Sequence, residues 1–195
     1  MGYDKVSLDP KSRSVTIPPG CSIDLGGIAK GYIVDQAVGV LRGYVSSALV
    51  NAGGDLYALG SKPGGMPWVI GVQDPRRPDD PSAFIETLYV KDLAVATSGN
   101  YIRFVEIGGK RYSHIIDPRT GWPVDTIPSA TVVARDTTTA DALATAVSVL
   151  PPEESVKLPA SLPGVEVLLF VRSGEGWFRY RSGGIAALVQ PPVER

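Results

Sequence analysis

Residues 23–35 have the sequence Ile-Asp-Leu-Gly-Gly-Ile-Ala-Lys-Gly-Tyr-Ile-Val-Asp, in which three glycines, one lysine and two acids lead into a helical pattern. Apolar side chains recur at helical spacing from Tyr32 to Leu41, which predicts a helix from about Gly31 to Arg42. The first N–H groups of a helix lack partners within the helix and carry a partial positive charge, which suits an anion such as phosphate. On the local pattern alone, a strand-to-helix turn that binds nothing is the slightly simpler interpretation.

This glycine-rich turn differs from the common nucleotide-binding signatures. A P-loop places Gly-Lys-Ser/Thr at the end of its glycine run, whereas here Lys30 comes before Gly31. The dinucleotide fingerprint requires Gly-x-Gly-x-x-Gly, and the adjacent pair Gly26-Gly27 does not fit that spacing. Neither a P-loop nor a Rossmann fold is therefore expected.

The composition is that of one globular domain, expected to span residues 1–195. The chain has 195 residues, 44% of them hydrophobic, which is enough for a substantial core. Nineteen basic and twenty acidic residues give a formal net charge of −1, so we expect neither nucleic acid nor an anionic membrane as a partner. No apolar segment has the length of a transmembrane helix.

Cys21 is the only cysteine, so an intrachain disulfide is impossible. The residues before it include Lys, Arg, Asp and Pro and form no apolar stretch, so we expect no signal peptide and no lipoprotein cysteine in this sequence. A cytoplasmic location fits the sequence as it stands, while an envelope-associated parent protein stays open.

Short alternating segments outnumber helices, which predicts an α+β fold with a mostly antiparallel sheet and two main helices. Residues 5–17 form the first expected hairpin, and residues 183–189 the last short strand. The second helix is expected at residues 140–150, where Leu143, Val147 and Leu150 form an apolar stripe. Regular alternation of strands and helices, which a doubly wound parallel sheet needs, is absent.

Two polar patterns suggest a ligand site. In the turn Asn51-Ala-Gly-Gly-Asp55, Gly53 leaves room for a ligand to approach the backbone, although an empty turn is as good an explanation. Asp141 and Thr145 lie one helical turn apart on the same face, and carboxylate and hydroxyl oxygens suit Mg²⁺. An acid in the first turn of a helix is, however, usually there for the helix dipole, and this local interpretation is a strong one.

His114 is the only histidine and is expected at the end of a strand, before a turn of residues 117–120 that closes at Gly121. Catalytic groups are often carried at such strand ends, although a lone histidine is more often a hydrogen-bonded structural residue. Ser98-Gly99-Asn100-Tyr101 is expected to form a turn, with no function evident from its chemistry.

Four blocks of this sequence, in the same order, resemble the ApbE family of FAD:protein FMN transferases. They are Asp24-Leu-Gly-Gly-Ile-Ala-Lys-Gly-Tyr32, Asn51-Ala-Gly-Gly-Asp55, His114-Ile-Ile-Asp-Pro-Arg-Thr-Gly121 and Ala140-Asp-Ala-Leu-Ala-Thr145. Residues 98–101 are similar to a further, weaker block. The resemblance implies an ApbE-like fold and Mg²⁺-dependent transfer of FMN from FAD to a Ser or Thr hydroxyl of a target protein, with release of AMP. The implied partners are therefore FAD and an acceptor protein.

The resemblance also implies roles for individual residues. The metal would be held by Asp141 and Thr145, with the backbone oxygen of Gly27 and with Ala144 of the same block. The FAD site would comprise Asp24, Lys30, Gly53, His114 and Ile115. We further expect His114 to act as general base towards the acceptor hydroxyl, since an imidazole can accept a proton near neutral pH.

Members of the family are longer at the front, so this sequence is expected to be an ApbE-like domain truncated on its N-terminal side. Part of the wall around FAD would then be missing or supplied by another chain. Three alternatives stay open: a Mg²⁺-dependent FAD pyrophosphatase that forms FMN and AMP, a flavin-binding module without catalysis, and a structural domain without a ligand. The sequence contains no Asp-x-x-Ser/Thr-Gly-Ala-Thr acceptor motif, so self-flavinylation on such a motif is not expected.

Overall fold

The computed structural model describes residues 2–100, 104–174 and 176–189. Its strands, in chain order, are β1 (Ser7–Asp9), β2 (Ser14–Thr16), β3 (Ala48–Ala52), β4 (Asp55–Leu59), β5 (Trp68–Gln73), β6 (Phe84–Val90), β7 (Leu93–Gly99), β8 (Phe104–Ile107), β9 (Lys110–Ser113), β10 (Ser129–Ala134), β11 (Glu166–Ser173) and β12 (Gly176–Arg181). The helices are α1 (Ala29–Leu41), α2 (Thr137–Val147), α3 (Pro152–Ser155) and α4 (Ile185–Val189). Short 3₁₀ turns occupy Tyr3–Lys5, Pro63–Gly65 and Leu158–Ala160.

A six-stranded antiparallel sheet forms the centre of the molecule, in the order β12-β11-β10-β7-β4-β3. Three hairpins, β1–β2, β5–β6 and β8–β9, lie outside this sheet. The expected α+β fold, with a mostly antiparallel sheet and two main helices, is therefore confirmed. The first hairpin also forms where the alternating pattern placed it.

Both faces of the central sheet are covered. Successive strand residues point to opposite sides, so the even- and odd-numbered residues of β10 belong to different faces. On one face, Val132 and its even-numbered neighbours on β10 pack in one core cluster with Val38 of α1 and Val147 of α2. On the other face, Val133 packs in a second cluster with Leu88 of β6 and Ile185 of α4. All of β10 is consequently buried.

Three local predictions are corrected by the structure. Residues 185–189 form the short helix α4 and not a strand. Ser98 and Gly99 continue strand β7 opposite Ala130 and Ser129, so the turn expected at Ser98 is wrong; Tyr101 lies outside the described residues. Helix α2 begins at Thr137 after the N-cap Asp136, so Asp141 stands in its second turn and not in its first.

Within the described part of the chain, no helix combines the length and the apolar character that a membrane span requires.

Candidate active site

The N-terminal turn of α1 lies directly against α2, and Gly31 makes this contact possible. A Cβ atom at Gly31 would stand 2.2 Å from the carbonyl oxygen of Thr137 and 2.8 Å from Cβ of Asp141. Real Cβ atoms do not approach other atoms so closely, so any side chain here would force the helices apart. The glycine-rich turn is thus held against the helix that carries the predicted metal ligands.

Asp141 supplies the cap that α1 lacks in its own sequence. The residue at the N-cap position, Ile28, makes no capping hydrogen bond through its side chain. Instead, the Gly31 N–H donates to Oδ2 of Asp141 at 2.9 Å, across 110 residues of sequence. The Asp141 carboxylate is buried and sits at the positive end of the α1 dipole, where a negative charge is stabilised.

Thr145, one turn further along α2, lies next to the glycine-rich turn. Its Oγ1 atom is 3.2 Å from Oγ of Ser98, and a Cβ at Gly27 would be 3.4 Å from the same Oγ1. Residues from the glycine-rich turn, β7 and α2 therefore meet at one point. Asp141 and Thr145 are placed one turn apart, as the sequence predicted.

The oxygen donors at this junction fit a hard cation such as Mg²⁺. Mg²⁺ prefers oxygen ligands and commonly binds through one or two carboxylates together with substrate phosphates. Asp141 has lone pairs beyond the one used by Gly31, and Thr145 adds a hydroxyl oxygen. No cluster of three or more His, Cys, Asp or Glu side chains occurs in the part of the chain that the structure describes. Backbone oxygens, water or phosphate oxygens would complete the shell of a bound Mg²⁺.

Ala144 is less directly placed than the other predicted metal-site residues. Its side chain is buried in the core between α2 and the sheet. Its carbonyl oxygen accepts a hydrogen bond from Oγ of Ser148 at 2.8 Å. A role for Ala144 in metal binding would therefore have to involve a carbonyl that already has a donor.

Lys30 forms an ion pair with Asp55, the first residue of β4. Asp55 is buried on the sheet face that α1 covers. Burial raises the pKa of Asp55; the hydrogen bond and charge of Lys30 oppose this, while the nearby charge of Asp141 adds to it, and the net direction is upward. In the sequence, Asp55 stands out only as the last residue of a glycine turn, although the resemblance of that block to the family could have drawn attention to it.

Gly53 lies in the turn between β3 and β4, two residues before Asp55. Its φ of +64° and the φ of +104° at Gly54 belong to the left-handed region that favours glycine. The N–H of Gly54 donates to the side chain of Asn51 at 2.9 Å. Gly53 is thus close in sequence to the Lys30–Asp55 pair but lines neither of the two clefts described below.

A cleft of about 520 Å³ opens beside the glycine-rich turn, and we call it the glycine-turn cleft. It is lined by Asp24, Gly27, Ile28, Ile116, Pro118, Arg119, Ala142, Thr145, Ala146, Val149 and Leu150. Most of these residues are apolar, and Asp24, Arg119 and Thr145 add polar groups, which is the usual make-up of a small-molecule site. The Asp24 carboxylate accepts a hydrogen bond from the N–H of Gly26 at 2.6 Å, which orients it within the turn.

A second cleft of about 530 Å³, the histidine cleft, contains His114. Its lining residues are Val105, Ile107, Tyr112, Ser113, His114, Ile116, Gly121, Trp122 and Pro123. His114 is exposed and directly follows β9, as expected for a residue at a strand end. Ile116 lines both clefts, so the histidine cleft adjoins the glycine-turn cleft.

Ile115, predicted as a flavin contact, points its side chain into the interior and is buried. Its N–H donates to Oγ of Ser113 at 3.0 Å, and its carbonyl oxygen accepts from the N–H of Val124 at 3.0 Å. These bonds fix the backbone between His114 and Ile116. The side chains of those two neighbours, and not that of Ile115, face the clefts.

Arg119 anchors the turn after His114 to the segment that directly follows α2. Arg119 Nε and Nη2 donate to the Asp117 carboxylate at 2.9 and 2.8 Å, and Nη2 also donates to the carbonyl oxygen of Val149 at 3.1 Å. The hydrogen bonds from Arg119 lower the pKa of Asp117. The two walls of the glycine-turn cleft are thereby tied together at one end.

The fold and the site define an α+β protein with an oxygen-rich junction between two helices and two adjoining clefts of ligand size. The family model described as the ApbE family matches residues 1–169. The chain belongs to the ApbE family, as its four sequence blocks predicted.

Comparison with individual proteins agrees with this assignment. The FAD:protein FMN transferase of Treponema pallidum is 43% identical over 159 residues, which cover 76% of this chain and 43% of the relative. The protein of the same name from Haemophilus influenzae is 31% identical over 195 residues, which cover 97% of this chain and 56% of the relative. The chain thus spans about half the length of the curated relatives it matches.

Solved structures show the same fold. The ApbE protein of Thermotoga maritima superposes with a TM-score of 0.86 at 42% identity, over 97% of this chain and 60% of that one. The flavin transferase ApbE from Vibrio cholerae superposes with a TM-score of 0.82 at 31% identity, over 96% of this chain and 59% of that one. The predicted ApbE-like fold is therefore confirmed, while the roles of individual residues stay predictions.

Proposed function

We propose that this chain contributes the metal and FAD site of a Mg²⁺-dependent FAD:protein FMN transferase. The reaction would move FMN from FAD to a Ser or Thr hydroxyl of an acceptor protein and release AMP. The main support for the proposal is that Gly27, Asp141 and Thr145 lie close together at the α1–α2 junction. Relatives named as FAD:protein FMN transferases support the choice of reaction.

The proposed chemistry is phosphoryl transfer, which depends mainly on positioning and charge neutralisation. The hydroxyl oxygen of the acceptor attacks the phosphorus of the FMN half, and the bond from that phosphorus to the bridging pyrophosphate oxygen breaks. AMP leaves with this oxygen, and the hydroxyl proton passes to a base. Bound Mg²⁺ would supply charge neutralisation at the pyrophosphate.

Four residues would have separate roles in this reaction. Asp141 and Thr145 would hold the metal ion at the N-terminal end of α1. Lys30 would hold a phosphate oxygen of FAD, because its ammonium has three donors and the ion pair with Asp55 occupies only one. His114 would accept the acceptor's proton from its position in the histidine cleft.

FAD titration by calorimetry tests the site, with Mg²⁺ and with EDTA, on the wild type and on Asp141→Ala. We expect binding that requires both the metal and Asp141. Because Asp141 also caps α1, Thr145→Val serves as a second variant that removes a proposed ligand without removing the cap. Absence of FAD binding in every condition would contradict the proposal for this chain.

Product analysis separates the transferase from an FAD pyrophosphatase. A transferase leaves FMN covalently attached to the acceptor, whereas a pyrophosphatase yields free FMN and AMP with water as acceptor. Binding of FAD without any release of AMP would indicate a non-catalytic flavin-binding module.

A further inference from the structure

Helices α1 and α2 cap one another through two carboxylates. Asp35, in the middle of α1, accepts hydrogen bonds from the N–H groups of Thr137 at 2.7 Å and Thr138 at 2.8 Å, and also from the Thr138 hydroxyl. In the opposite direction, Asp141 of α2 accepts the N–H of Gly31 in α1. Each helix therefore provides the carboxylate for the N-terminal turn of the other.

The spacing of these contacts shows the relative direction of α1 and α2. Gly31 and Asp35 are four residues apart on α1, as are Thr137 and Asp141 on α2, and four residues make about one helical turn. Gly31 contacts Asp141 and Asp35 contacts Thr137, so the helices are antiparallel at this point. The two carboxylates form a double link that is one turn long.

The contact made by Asp35 goes beyond what is needed to start α2. Asp136, the N-cap residue of α2, already accepts the N–H and the hydroxyl of Thr139 at 2.7 and 3.0 Å. Asp136 belongs to the same chain segment as α2 and so caps it locally. Asp35 binds the same helix end from another element, 102 residues away from Thr137 in the sequence, and so fixes α2 on α1.

Asp35 is held in its ionised form. Burial works against the charge, but hydrogen bonds from the Thr138 hydroxyl and from the N–H groups of Thr137 and Thr138 outweigh it, and the pKa of Asp35 is lowered. A charged carboxylate at a helix N-terminus also gains from the helix dipole.

The double link joins the two elements that carry the proposed metal ligands. Asp141 and Thr145 belong to α2, whereas Gly27 precedes α1. If α2 moved along or away from α1, Asp141 would leave Gly31 and Thr145 would leave Gly27 at the same time.

We propose that Asp35 is a positioning residue for the metal site. By holding the N-terminus of α2 on α1, it sets the distance between the Asp141 carboxylate and the glycine-rich turn. The metal part of this inference rests on the proposed function; the part that concerns the Gly31–Asp141 hydrogen bond does not.

Asp35→Asn and Asp136→Asn form a matched pair, since each removes one carboxylate from the same end of α2. Mn²⁺ serves as the probe, with its affinity measured by electron paramagnetic resonance in the absence of FAD. Exchange of the Gly31 amide hydrogen, followed by NMR, reports on the bond to Asp141. We expect both variants to lose stability in urea, and only Asp35→Asn to weaken Mn²⁺ binding, by about 10- to 100-fold as for residues that orient metal ligands.

Gly31 exchange should likewise accelerate at least several-fold in Asp35→Asn and stay unchanged in Asp136→Asn. Equal effects of the two variants on Mn²⁺ affinity and on Gly31 exchange would overturn the inference, because Asp35 would then be only a helix cap. If Asp35→Asn does not fold, Thr138→Val and Thr139→Val repeat the comparison, since each removes one hydroxyl donor, to Asp35 or to Asp136.

Failure of the proposed function gives a different result. If the wild type does not bind Mn²⁺, or if Asp141→Ala binds Mn²⁺ with the same affinity as the wild type, the metal assignment is wrong. The metal part of the inference then fails with it. The Gly31 exchange rates then still decide whether Asp35 positions Asp141.

Discussion

The ammonium of Lys30 and the carboxylate of Asp55 form an ion pair that joins α1 to the first residue of β4. The Lys30 side chain is 38% exposed, whereas that of Asp55 is 2% exposed. The pair therefore places a partly accessible positive charge in the first turn of α1, beside the glycine-rich turn. It also compensates the buried negative charge of Asp55. Neither residue lines either of the two clefts. Under the proposed function, Asp55 would contribute to the site by holding Lys30.

Lys30→Met should destabilise the protein by about 1–3 kcal/mol at pH 7, because it leaves a buried carboxylate without its partner. The pKa of Asp55 is already raised, and loss of the opposing effect of Lys30 would raise it further. The folded protein then binds a proton that the unfolded chain releases, so the cost of the substitution grows as pH rises above the ordinary range of an Asp carboxyl. Urea unfolding at pH 4 and pH 7 should show the larger loss at pH 7.

Lys91→Met, at an exposed lysine between β6 and β7, is the control for loss of a positive charge. Its effect should be small at both pH values. The double variant Lys30→Met/Asp55→Asn should recover part of the loss at pH 7, since the buried charge of residue 55 is then removed as well. A loss in Lys30→Met that is the same at both pH values would show that Asp55 is not responsible.

Gly31→Ala should separate α1 from α2, because the added methyl group would overlap the Thr137 carbonyl and Asp141. We expect a loss of about 1–3 kcal/mol in the free energy of unfolding, as for overpacking elsewhere, together with weaker FAD binding. Gly39→Ala is the matched control in the same helix, since a Cβ there meets nothing within 4 Å. That variant should gain up to about 1 kcal/mol, because alanine favours a helix over glycine. Equal stability of the two variants would contradict the close contact at Gly31.

The fold class could be predicted from the sequence because it depends on local alternation of polar and apolar residues, which the strands show. Residues 185–189 were misassigned because a short apolar segment fits a strand and a buried helix equally well. Asp141 can be named as a candidate ligand from its helical spacing to Thr145, but its bond to Gly31 spans 110 residues and has no local signature. The same holds for Asp35 and Asp55, whose partners lie on other elements. The family blocks indicate candidate residues, and the fold is needed to show how these residues contact each other.

Arg119→Ala should weaken FAD binding, because it removes both a cleft-lining cation and the bond to the Val149 carbonyl. The chain contains its own control in a second Asp-Pro-Arg turn. Arg76 binds Asp74 through the same fork, with Nε and Nη2 at 2.9 and 2.7 Å, but lines neither cleft. Calorimetry should therefore show a loss of FAD affinity for Arg119→Ala and little change for Arg76→Ala. Similar losses in both variants would mean that the fork acts on stability alone.

His114→Ala should slow FMN transfer without a matching loss of FAD affinity, which separates it from the metal-site variants. Removal of a general base typically costs about 10²- to 10⁴-fold in rate. Asp141→Ala should instead lower both FAD affinity and rate, since the metal site is proposed to hold the pyrophosphate. Single-turnover experiments would measure the release of AMP and the attachment of FMN to a peptide that carries a Ser or Thr acceptor. Calorimetry would measure FAD binding.

Tyr112→Phe, which changes the same cleft without removing an imidazole, should keep the rate near that of wild type. Full transfer by His114→Ala with intact FAD binding would exclude His114 as the base and leave the acceptor hydroxyl to be deprotonated by another group.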